Sequence, residues 1–229
     1  TKVDADYPDN KLTGAVFEVY ADTNGNGEFD KDDKLCGEMT ELEGGVYQMT
    51  ELRYGKYFVR EKTAPDGFVL DDGVYGVSIE ENGKTYTVEN KAGVGFINDA
   101  QKGSLKIVKT SSDGKVEGFS FRVTSADGYD QTFKTDKNGE IFIEGLRIGE
   151  YTVSEVSDSA AAGYILPADK QATVKTGATT IVEMHNEFRD TPKTGDDFNL
   201  GLWVSLAAAS VIGAGILGFV GFKKKKKED

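Results

Sequence analysis

The sequence contains two copies of one unit, and this repetition limits the folds open to the chain more than any other feature. Residues 45–61 align with residues 139–155 without a gap, and residues 14–17 match residues 118–121. The aligned identities include Gly45/Gly139, Leu52/Leu146, Arg53/Arg147, Gly55/Gly149, Tyr57/Tyr151, Val59/Val153 and Glu61/Glu155. The copies span 1–101 and 102–188, so each has the size of a domain rather than of a solenoid repeat. We therefore expect two tandem domains of one fold, followed by a separate segment at 189–229.

Within each copy, apolar and polar residues alternate with a period of two. Leu105 and Ile107 share one face of a predicted strand, and Val182 and Met184 share a face of another. Turn-forming pairs such as Asn138-Gly139 separate these stretches, which is typical of antiparallel sheets. No helical periodicity of useful length appears before residue 198. We predict an all-β fold of two tandem immunoglobulin-like β-sandwiches.

The last forty residues have the composition of a membrane-spanning segment with a basic tail. A short segment from Thr191 to Gly195 precedes an uncharged run, Phe198 to Phe222, and then five lysines, Lys223 to Lys227. At ~1.5 Å per residue, a helix over this run is longer than the ~30 Å hydrocarbon core of a bilayer, so we predict a transmembrane helix at 198–222. The lysines hold the C-terminus in the cytoplasm, which places the two copies outside the cell.

This order of motif, span and basic tail resembles the cell-wall sorting signal of Gram-positive LPxTG surface proteins. The resemblance implies that a sortase cleaves between Thr194 and Gly195 and joins the Thr194 carbonyl to peptidoglycan, so that the membrane holds only the precursor. The family's usual first residue is Leu, and Thr191 replaces it here, which leaves the class of sortase open. The alternative is a plain C-terminal membrane anchor. No secretory signal peptide begins the sequence, so we expect that Thr1 is not the natural start.

Charge and cysteine content narrow the function further. The chain has 27 basic and 39 acidic residues, a formal net charge of −12, and such a surface repels nucleic acid. We therefore predict no nucleic-acid partner. Cys36 is the only cysteine, which excludes an intramolecular disulfide. We expect Cys36 to be a partly buried strand residue, and we expect an exported protein without disulfides to have another covalent cross-link.

Three polar residues in each copy occupy positions where the alternation predicts side chains facing the core. Each copy has a lysine in its first strand, a glutamate in a late strand and an asparagine in its last: Lys2, Glu61 and Asn98, then Lys109, Glu155 and Asn186. Burial of a charge is costly unless it is neutralised or paired, so this pattern needs a reason. The competing interpretation places the lysines at strand ends in solvent and the asparagines in turns. Lys106 is the alternative to Lys109, although its parity assigns it to the opposite face.

Covalent chemistry between these residues explains their burial. Desolvation lowers the pKa of a lysine and raises that of a glutamate, so a neutral amine and a neutral acid can coexist. The amine can then attack the asparagine side-chain carbonyl while the glutamate passes a proton to the departing ammonia. The sequence thus predicts Lys2–Asn98 and Lys109–Asn186 isopeptide bonds, with Glu61 and Glu155 as the proton shuttles.

Both copies resemble the CnaB, or SpaA-like, domains of Gram-positive pilins and adhesins. The segment Glu61–Phe68 is close to the family signature E-x-x-A-P-x-G-[YF], and the Lys2–Asp4 and Phe96–Asn98 segments also fit. The second copy keeps Tyr151–Glu155 but lacks the Ala-Pro pair. The resemblance implies one isopeptide bond in each domain and no enzymatic activity beyond its autocatalytic formation.

Residues 22–33 match the spacing of an EF-hand calcium loop as far as its sixth position. Gly27 supplies the sharp turn, and the apolar Phe29 stands at position eight. Position twelve is an aspartate rather than the usual glutamate, and strands rather than helices are expected on both sides. We predict one calcium ion with the ligands Asp22, Asn24, Asn26, Glu28 (through its backbone carbonyl), Asp30 and Asp33. The competing interpretation is an acidic hairpin loop that binds no metal.

Together these observations predict a cell-wall-anchored structural stalk of a surface adhesin or anchoring pilin. Its expected partners are a sortase, peptidoglycan and, before processing, the membrane. The alternative is a pair of anchoring modules for an ectoenzyme whose catalytic domain precedes Thr1. We expect any host ligand to be bound by further domains ahead of Thr1, because the two copies show no exposed aromatic cluster.

Overall fold

The computed structural model describes residues 1–189, which form sixteen β-strands and one 3-10 turn. The predicted all-β fold is confirmed. The predicted transmembrane segment 198–222 and the predicted cleavage site at Thr194 and Gly195 lie outside the described residues. Within residues 1–189, no helix is long and apolar enough to cross a membrane.

The second copy is a complete two-sheet sandwich. Its strands are β9 (Lys102–Ser111), β10 (Ser120–Ser125), β11 (Asp130–Lys134), β12 (Glu140–Arg147), β13 (Gly149–Glu155), β14 (Tyr164–Ile165), β15 (Lys170–Val174) and β16 (Thr179–Phe188). One sheet has the order β12-β9-β16-β14 and the other β11-β10-β13-β15. The alternating residues Leu105, Ile107, Val153 and Met184 are fully buried between them. This period-two burial is the one that the sequence predicts.

The first copy has the same plan with shorter strands. Its strands are β1 (Lys2–Asp4), β2 (Val16–Ala21), β3 (Lys34–Glu38), β4 (Thr40–Leu42), β5 (Val46–Gln48), β6 (Gly55–Thr63), β7 (Val74–Ile79) and β8 (Phe96–Asn98). A 3-10 turn, Glu43–Gly45, connects β4 and β5. One sheet has the order β3-β2-β6-β7, while β1 pairs with β8 and β4 pairs with β5. The core lies between these layers and contains Phe17, Val19, Val59 and Phe96.

Some residues that are identical in the two copies make the same contacts in both domains. The Tyr57 hydroxyl donates to the Arg53 carbonyl at 2.9 Å, and Tyr151 donates to the Arg147 carbonyl at the same distance. Gly139 has φ +78°, and a Cβ there would lie 2.7 Å from the Lys109 carbonyl oxygen. A side chain at this position would therefore clash with the first strand of the domain.

The copies contact each other through an ion-pair cluster. The Arg147 guanidinium donates to both carboxylate oxygens of Asp4, at 2.7 and 2.8 Å, and to Asp6 at 3.0 Å. The Lys102 amine also lies 3.0 Å from the Asp6 carboxylate. Asp4 is only 1% exposed, so its charge is desolvated and matched by a planar, two-pronged donor. The last residue of β12 is thereby fastened to the first strand of the other copy.

Cys36 corrects one expectation. We expected a partly buried residue, whereas the structure exposes it on β3. Strand β3 is at the edge of its sheet and pairs only with β2, and four of its five residues are exposed. The residue types in a segment predict that it forms a β-strand, but they do not show whether that strand lies in the centre or at the edge of a sheet.

Candidate cross-linking sites

Parallel pairing of the first and last strands positions the lysine and asparagine of each copy. In the first copy Lys2 is in register with Phe96, and Asn98 lies two residues further along β8. In the second copy Lys109 is in register with Met184, and Asn186 lies two residues further along β16. Residues two apart on a strand share a face, so each asparagine is the diagonal neighbour of its lysine on the core side. The two copies use the same register.

The glutamates reach these pairs from the opposite sheet. Glu61 is in register with Phe17 on β2, and Glu155 with Phe121 on β10. These phenylalanines are buried in their cores, so the side chains of their partners on the same face also point between the sheets. Each triad of lysine, glutamate and asparagine therefore lies between the sheets of its sandwich. All of these side chains are buried except that of Glu155, which is partly exposed.

The first-copy triad is fully assembled. The Lys2 amine contacts Asn98 Oδ1 and lies 2.9 Å from Glu61 Oε1. The Asn98 amide donates to both oxygens of Glu61, at 3.0 and 2.8 Å. Lys2 is 0% exposed, and Glu61 and Asn98 are each 3% exposed. The carboxylate thus spans the amine and the amide, as a proton shuttle between them must.

Aromatic rings and one backbone group complete this first site. The Lys2 amine lies 4.6 Å from the Phe96 ring centroid and 5.6 Å from that of Phe17. Burial lowers the pKa of Lys2, with Glu61 opposing the shift, which favours the neutral, nucleophilic amine. The backbone N–H of Asp71 donates to Glu61 Oε2 at 2.9 Å and holds the carboxylate in place. Sequence reasoning missed Asp71, because a backbone donor leaves no signal in the choice of residue.

The second-copy triad is only partly assembled, with Lys109 and Asn186 buried and Glu155 partly exposed. The Asn186 amide donates to Glu155 Oε1 at 2.6 Å, whereas the Lys109 amine donates to the Thr110 carbonyl at 2.5 Å. Glu155 Oε2 and Asn186 Oδ1 are buried and have no hydrogen-bond partner among the described residues. Leaving a buried acceptor without a hydrogen bond costs about 1–3 kcal/mol of folding stability. A hydrogen-bond donor placed between these two oxygens would remove that cost. Lys109 is a buried donor on the same face of this pair of strands.

Electrostatics in the second site favour the neutral forms of both reacting groups. Burial lowers the pKa of Lys109, an effect that the charges of Glu155 and Asp113 oppose. Burial also raises the pKa of Glu155, against the hydrogen bond from Asn186. The Lys109 amine lies 4.4 Å from the Phe119 ring centroid, so an aromatic face covers it as in the first site. Lys106 points to the other face of β9 and pairs with Glu140 at 2.7 Å.

The predicted calcium loop is the whole connection between β2 and β3. It contains all six predicted ligands: Asp22, Asn24, Asn26, Glu28, Asp30 and Asp33. The Asp22 carboxylate accepts two backbone N–H groups of the loop at 2.6 and 3.0 Å, and Asp30 accepts the amides of Asn24 and Asn26. Within residues 1–189, no group of three or more His, Cys, Asp or Glu side chains converges as a metal site. Calcium binding stays a prediction.

Comparison with known proteins places this architecture in a family. The family model described as SpaA, a prealbumin-like fold domain, matches residues 1–92 and 103–188. The chain belongs to the SpaA family. The second match covers the second sandwich with Lys109, Glu155 and Asn186, whereas the first match ends ahead of β8 and so includes Lys2 and Glu61 but not Asn98. No curated protein sequence matches the chain.

Solved structures of similar fold include a Bacillus anthracis protein and a pilus adhesin. The Bacillus anthracis TIE protein is similar with a TM-score of 0.59 and 24% identity, over 82% of this chain and 32% of that chain. A C-terminal fragment of the pilus adhesin SpaC from Lactobacillus rhamnosus GG has a TM-score of 0.52 and 15% identity, over 83% of this chain and 96% of the fragment. This chain therefore spans about a third of the length of the TIE chain. At these identities the similarity establishes the fold.

Proposed function

We propose that this SpaA-family chain is a structural stalk of a Gram-positive surface adhesin or anchoring pilin, with each copy closed by one Lys–Asn isopeptide bond. The buried contact of Lys2 with Glu61 and Asn98 carries the proposal. A charged lysine in an apolar core is expensive to maintain, whereas the amide that would replace it is neutral. The same register recurs in the second copy, which supports a shared chemical purpose.

The reaction would need only the three side chains. The neutral lysine Nζ attacks the asparagine Cγ, forming a C–N bond, and the Cγ–Nδ2 bond then breaks. The two amine protons are distributed so that one stays on the new amide nitrogen and the other leaves with Nδ2 as ammonia. The protonated glutamate stabilises the developing oxyanion and relays this proton, and it is unchanged at the end. The reaction requires no oxidant and no cofactor.

The position of the bond suits a protein under tension. A bond between the first and last strands lets a pulling force pass from Lys2 directly to Asn98, and residues 3–97 then carry no load. Closing a loop of this length also stabilises the domain by about 4–5 kcal/mol through the unfolded state, by analogy with a disulfide. Unlike a disulfide, an amide cannot be reduced. A stalk exposed to shear and to variable redox conditions benefits from both properties.

Single-molecule force spectroscopy tests this function. Residues 1–189, pulled from both ends, should show no release of contour length from 2–98 or from 109–186, because the cross-links bypass both stretches. Glu61→Ala with Glu155→Ala removes both shuttles and should restore two full unfolding events. Two full-length unfolding events in the unmodified protein would contradict a stalk closed by isopeptide bonds.

We further propose that a sortase processes the chain at Thr194–Gly195 and links it to peptidoglycan, with residues 198–222 as a transient membrane segment. The order of motif, apolar run and Lys223 to Lys227 supports this proposal. Digestion of cell walls with a muralytic enzyme should release a protein that ends at Thr194 and carries a peptidoglycan stem. Recovery only in detergent, with the lysine tail intact, would indicate a plain membrane anchor instead.

A further inference from the structure

The connection between β7 and β8 contains an asparagine whose side chain pairs with β8 as a neighbouring strand would. The N–H of Ile97, the middle residue of β8, donates to Asn90 Oδ1 at 2.6 Å, and Asn90 Nδ2 donates to the Ile97 carbonyl at 2.8 Å. One side-chain amide thus satisfies the backbone donor and the backbone acceptor of the same strand residue. Because Ile97 adjoins Asn98, this pairing fixes the stretch of backbone that carries the reactive amide.

The same asparagine contacts the residue that holds the glutamate of the triad. Asn90 Nδ2 donates to Asp71 Oδ2 at 2.5 Å, and the Tyr75 hydroxyl donates to that oxygen at 2.8 Å. The other carboxylate oxygen, Asp71 Oδ1, accepts the Gly73 N–H at 2.8 Å. Three donors therefore fix the orientation of Asp71, whose own N–H donates to Glu61 Oε2 at 2.9 Å. A continuous chain of hydrogen bonds runs from the backbone of β8 to the Glu61 carboxylate.

The second copy lacks this arrangement around its glutamate. Glu155 Oε2 and Asn186 Oδ1 have no hydrogen-bond partner among the described residues, and the Lys109 amine donates to the Thr110 carbonyl. In the first copy, by contrast, Glu61 Oε2 has a backbone donor as well as the amide of the triad. Of the two triads, the assembled one is therefore the one whose carboxylate and last strand are tied together.

We propose that Asn90 and Asp71 are positioning residues for the Lys2–Asn98 cross-link, which they promote by fixing the Asn98 amide and the Glu61 carboxylate relative to each other. The inference rests on the proposed isopeptide function and adds two residues to it. Within residues 1–189, neither side chain hydrogen-bonds to Lys2 or Asn98, so both act through other groups. A displacement of about 1 Å between reacting groups can slow a reaction about a hundredfold, so such a pair has a measurable effect on rate.

The rate of bond formation in each copy tests the proposal. The full 229-residue chain is made by cell-free synthesis, samples are denatured at intervals, and the linked peptides are quantified by mass spectrometry after proteolysis. Asn90→Ala should slow formation of the first-copy bond by about ten- to a hundredfold. The second-copy bond, measured in the same molecules, should form at its usual rate. Asn82→Ala changes an exposed asparagine of the same connection and should leave both rates unchanged.

An exchange of the two side chains separates positioning from loss of the fold. Asn90→Asp keeps an acceptor for the Ile97 N–H but places a second carboxylate against Asp71, and it should slow the first-copy bond. Adding Asp71→Asn returns an amide beside a carboxylate, and it should recover at least a tenfold part of the lost rate. A mispositioned triad still forms its bond slowly and to completion, whereas an unfolded first copy never forms it.

The outcomes distinguish this inference from the function on which it rests. Absence of the first-copy bond in the unmodified chain would overturn the isopeptide function and the positioning role together. A bond that forms in the unmodified chain and at an equal rate in Asn90→Ala would overturn the positioning role alone. The same holds for a double variant no faster than Asn90→Asp, or for a bond that never forms in any of these variants, which would assign Asn90 to folding.

Discussion

Lys2 and Lys109 are buried lysines in equivalent strands, yet their amines have different partners. Lys2 already contacts its asparagine and its glutamate, whereas Lys109 donates to the Thr110 carbonyl. The reactive groups of the second copy therefore need a side-chain rotation before a bond can form. Parity predicted which lysines face the core, because that depends only on the alternation of the strand. The alternation could not predict the rotamer of Lys109, because the rotamer depends on how side chains pack around the amine.

Removal of one glutamate should abolish one bond and leave the other intact. Glu61→Ala should be lighter than its own calculated mass by one ammonia instead of two, and the stability of the first copy should fall by about 4–5 kcal/mol. Intact-mass spectrometry and calorimetry measure the two effects. Glu18→Ala is the matched control, since Glu18 is also a buried glutamate of the first copy but pairs with Arg60 on the outer face. Bond loss in the control, or bond retention in Glu61→Ala, would refute the assigned role.

The pH dependence of bond formation in the second copy follows from its two shifted pKa values. Lys109 must be neutral and Glu155 protonated, and burial lowers the first pKa and raises the second. The rate should rise with pH as Lys109 loses its proton and fall again as Glu155 loses its own. Protein folded in acid and then brought to higher pH should lose ammonia with a bell-shaped rate profile. A rate independent of pH would show that neither group takes part in the limiting step.

At the level of elements, the long central strands were predictable and the short edges were not. Strands β9 and β16 each have ten residues, and their alternation identified the buried face without ambiguity. Strand β1 has three residues, so its register depends on β8 and on the sheet opposite rather than on its own pattern. Cys36 was misplaced for a related reason, because an alternating pattern does not distinguish an edge strand from a central one.

The loop between β2 and β3 is attached to the sheet by a backbone hydrogen bond from Asp22 to the Lys56 carbonyl at 3.0 Å and by an aromatic contact. The Phe29 ring packs edge-on against Tyr20 and Phe58, with centroids 5.0 and 5.8 Å apart. If calcium binds only to the folded loop, it should stabilise the first copy by about 1.4–2.7 kcal/mol at ten to a hundred times Kd. Asp22→Ala with Asp30→Ala should remove this increase in melting temperature.

The second copy supplies the control for the calcium prediction. Asp127→Ala alters an acidic turn between β10 and β11 that lacks the EF-hand spacing, and it should leave the calcium effect unchanged. If titration calorimetry shows no heat and millimolar calcium does not shift the melting temperature, residues 22–33 form an acidic turn that does not bind calcium.

At the scale of the whole molecule, one arginine joins the two copies. Arg147 donates to the buried Asp4, which lies two residues from Lys2 on the same strand. The repeat places Arg53 at the equivalent point of the first copy, where it is exposed and makes no ion pair within residues 1–189. The sequence showed that the two arginines are equivalent. It could not show that only one has a partner, because the partner belongs to the other copy.

Arg147→Ala should loosen the junction without unfolding either sandwich. Loss of the guanidinium leaves the desolvated Asp4 unpaired, at a cost of about 3 kcal/mol. Small-angle scattering of residues 1–189 should then show a wider range of interdomain distances. Arg53→Ala is the matched control and should leave the scattering curve unchanged. Identical curves for both variants and the parent would show that the ion pair does not hold the copies together.

The intact mass of residues 1–189 tests the central claim most directly. Each Lys–Asn bond expels one ammonia, so the folded protein should be lighter than its calculated mass by two molecules of ammonia. Tandem mass spectrometry should locate the links at Lys2–Asn98 and Lys109–Asn186. A mass equal to the calculated value would contradict the account, since neither triad would then have reacted.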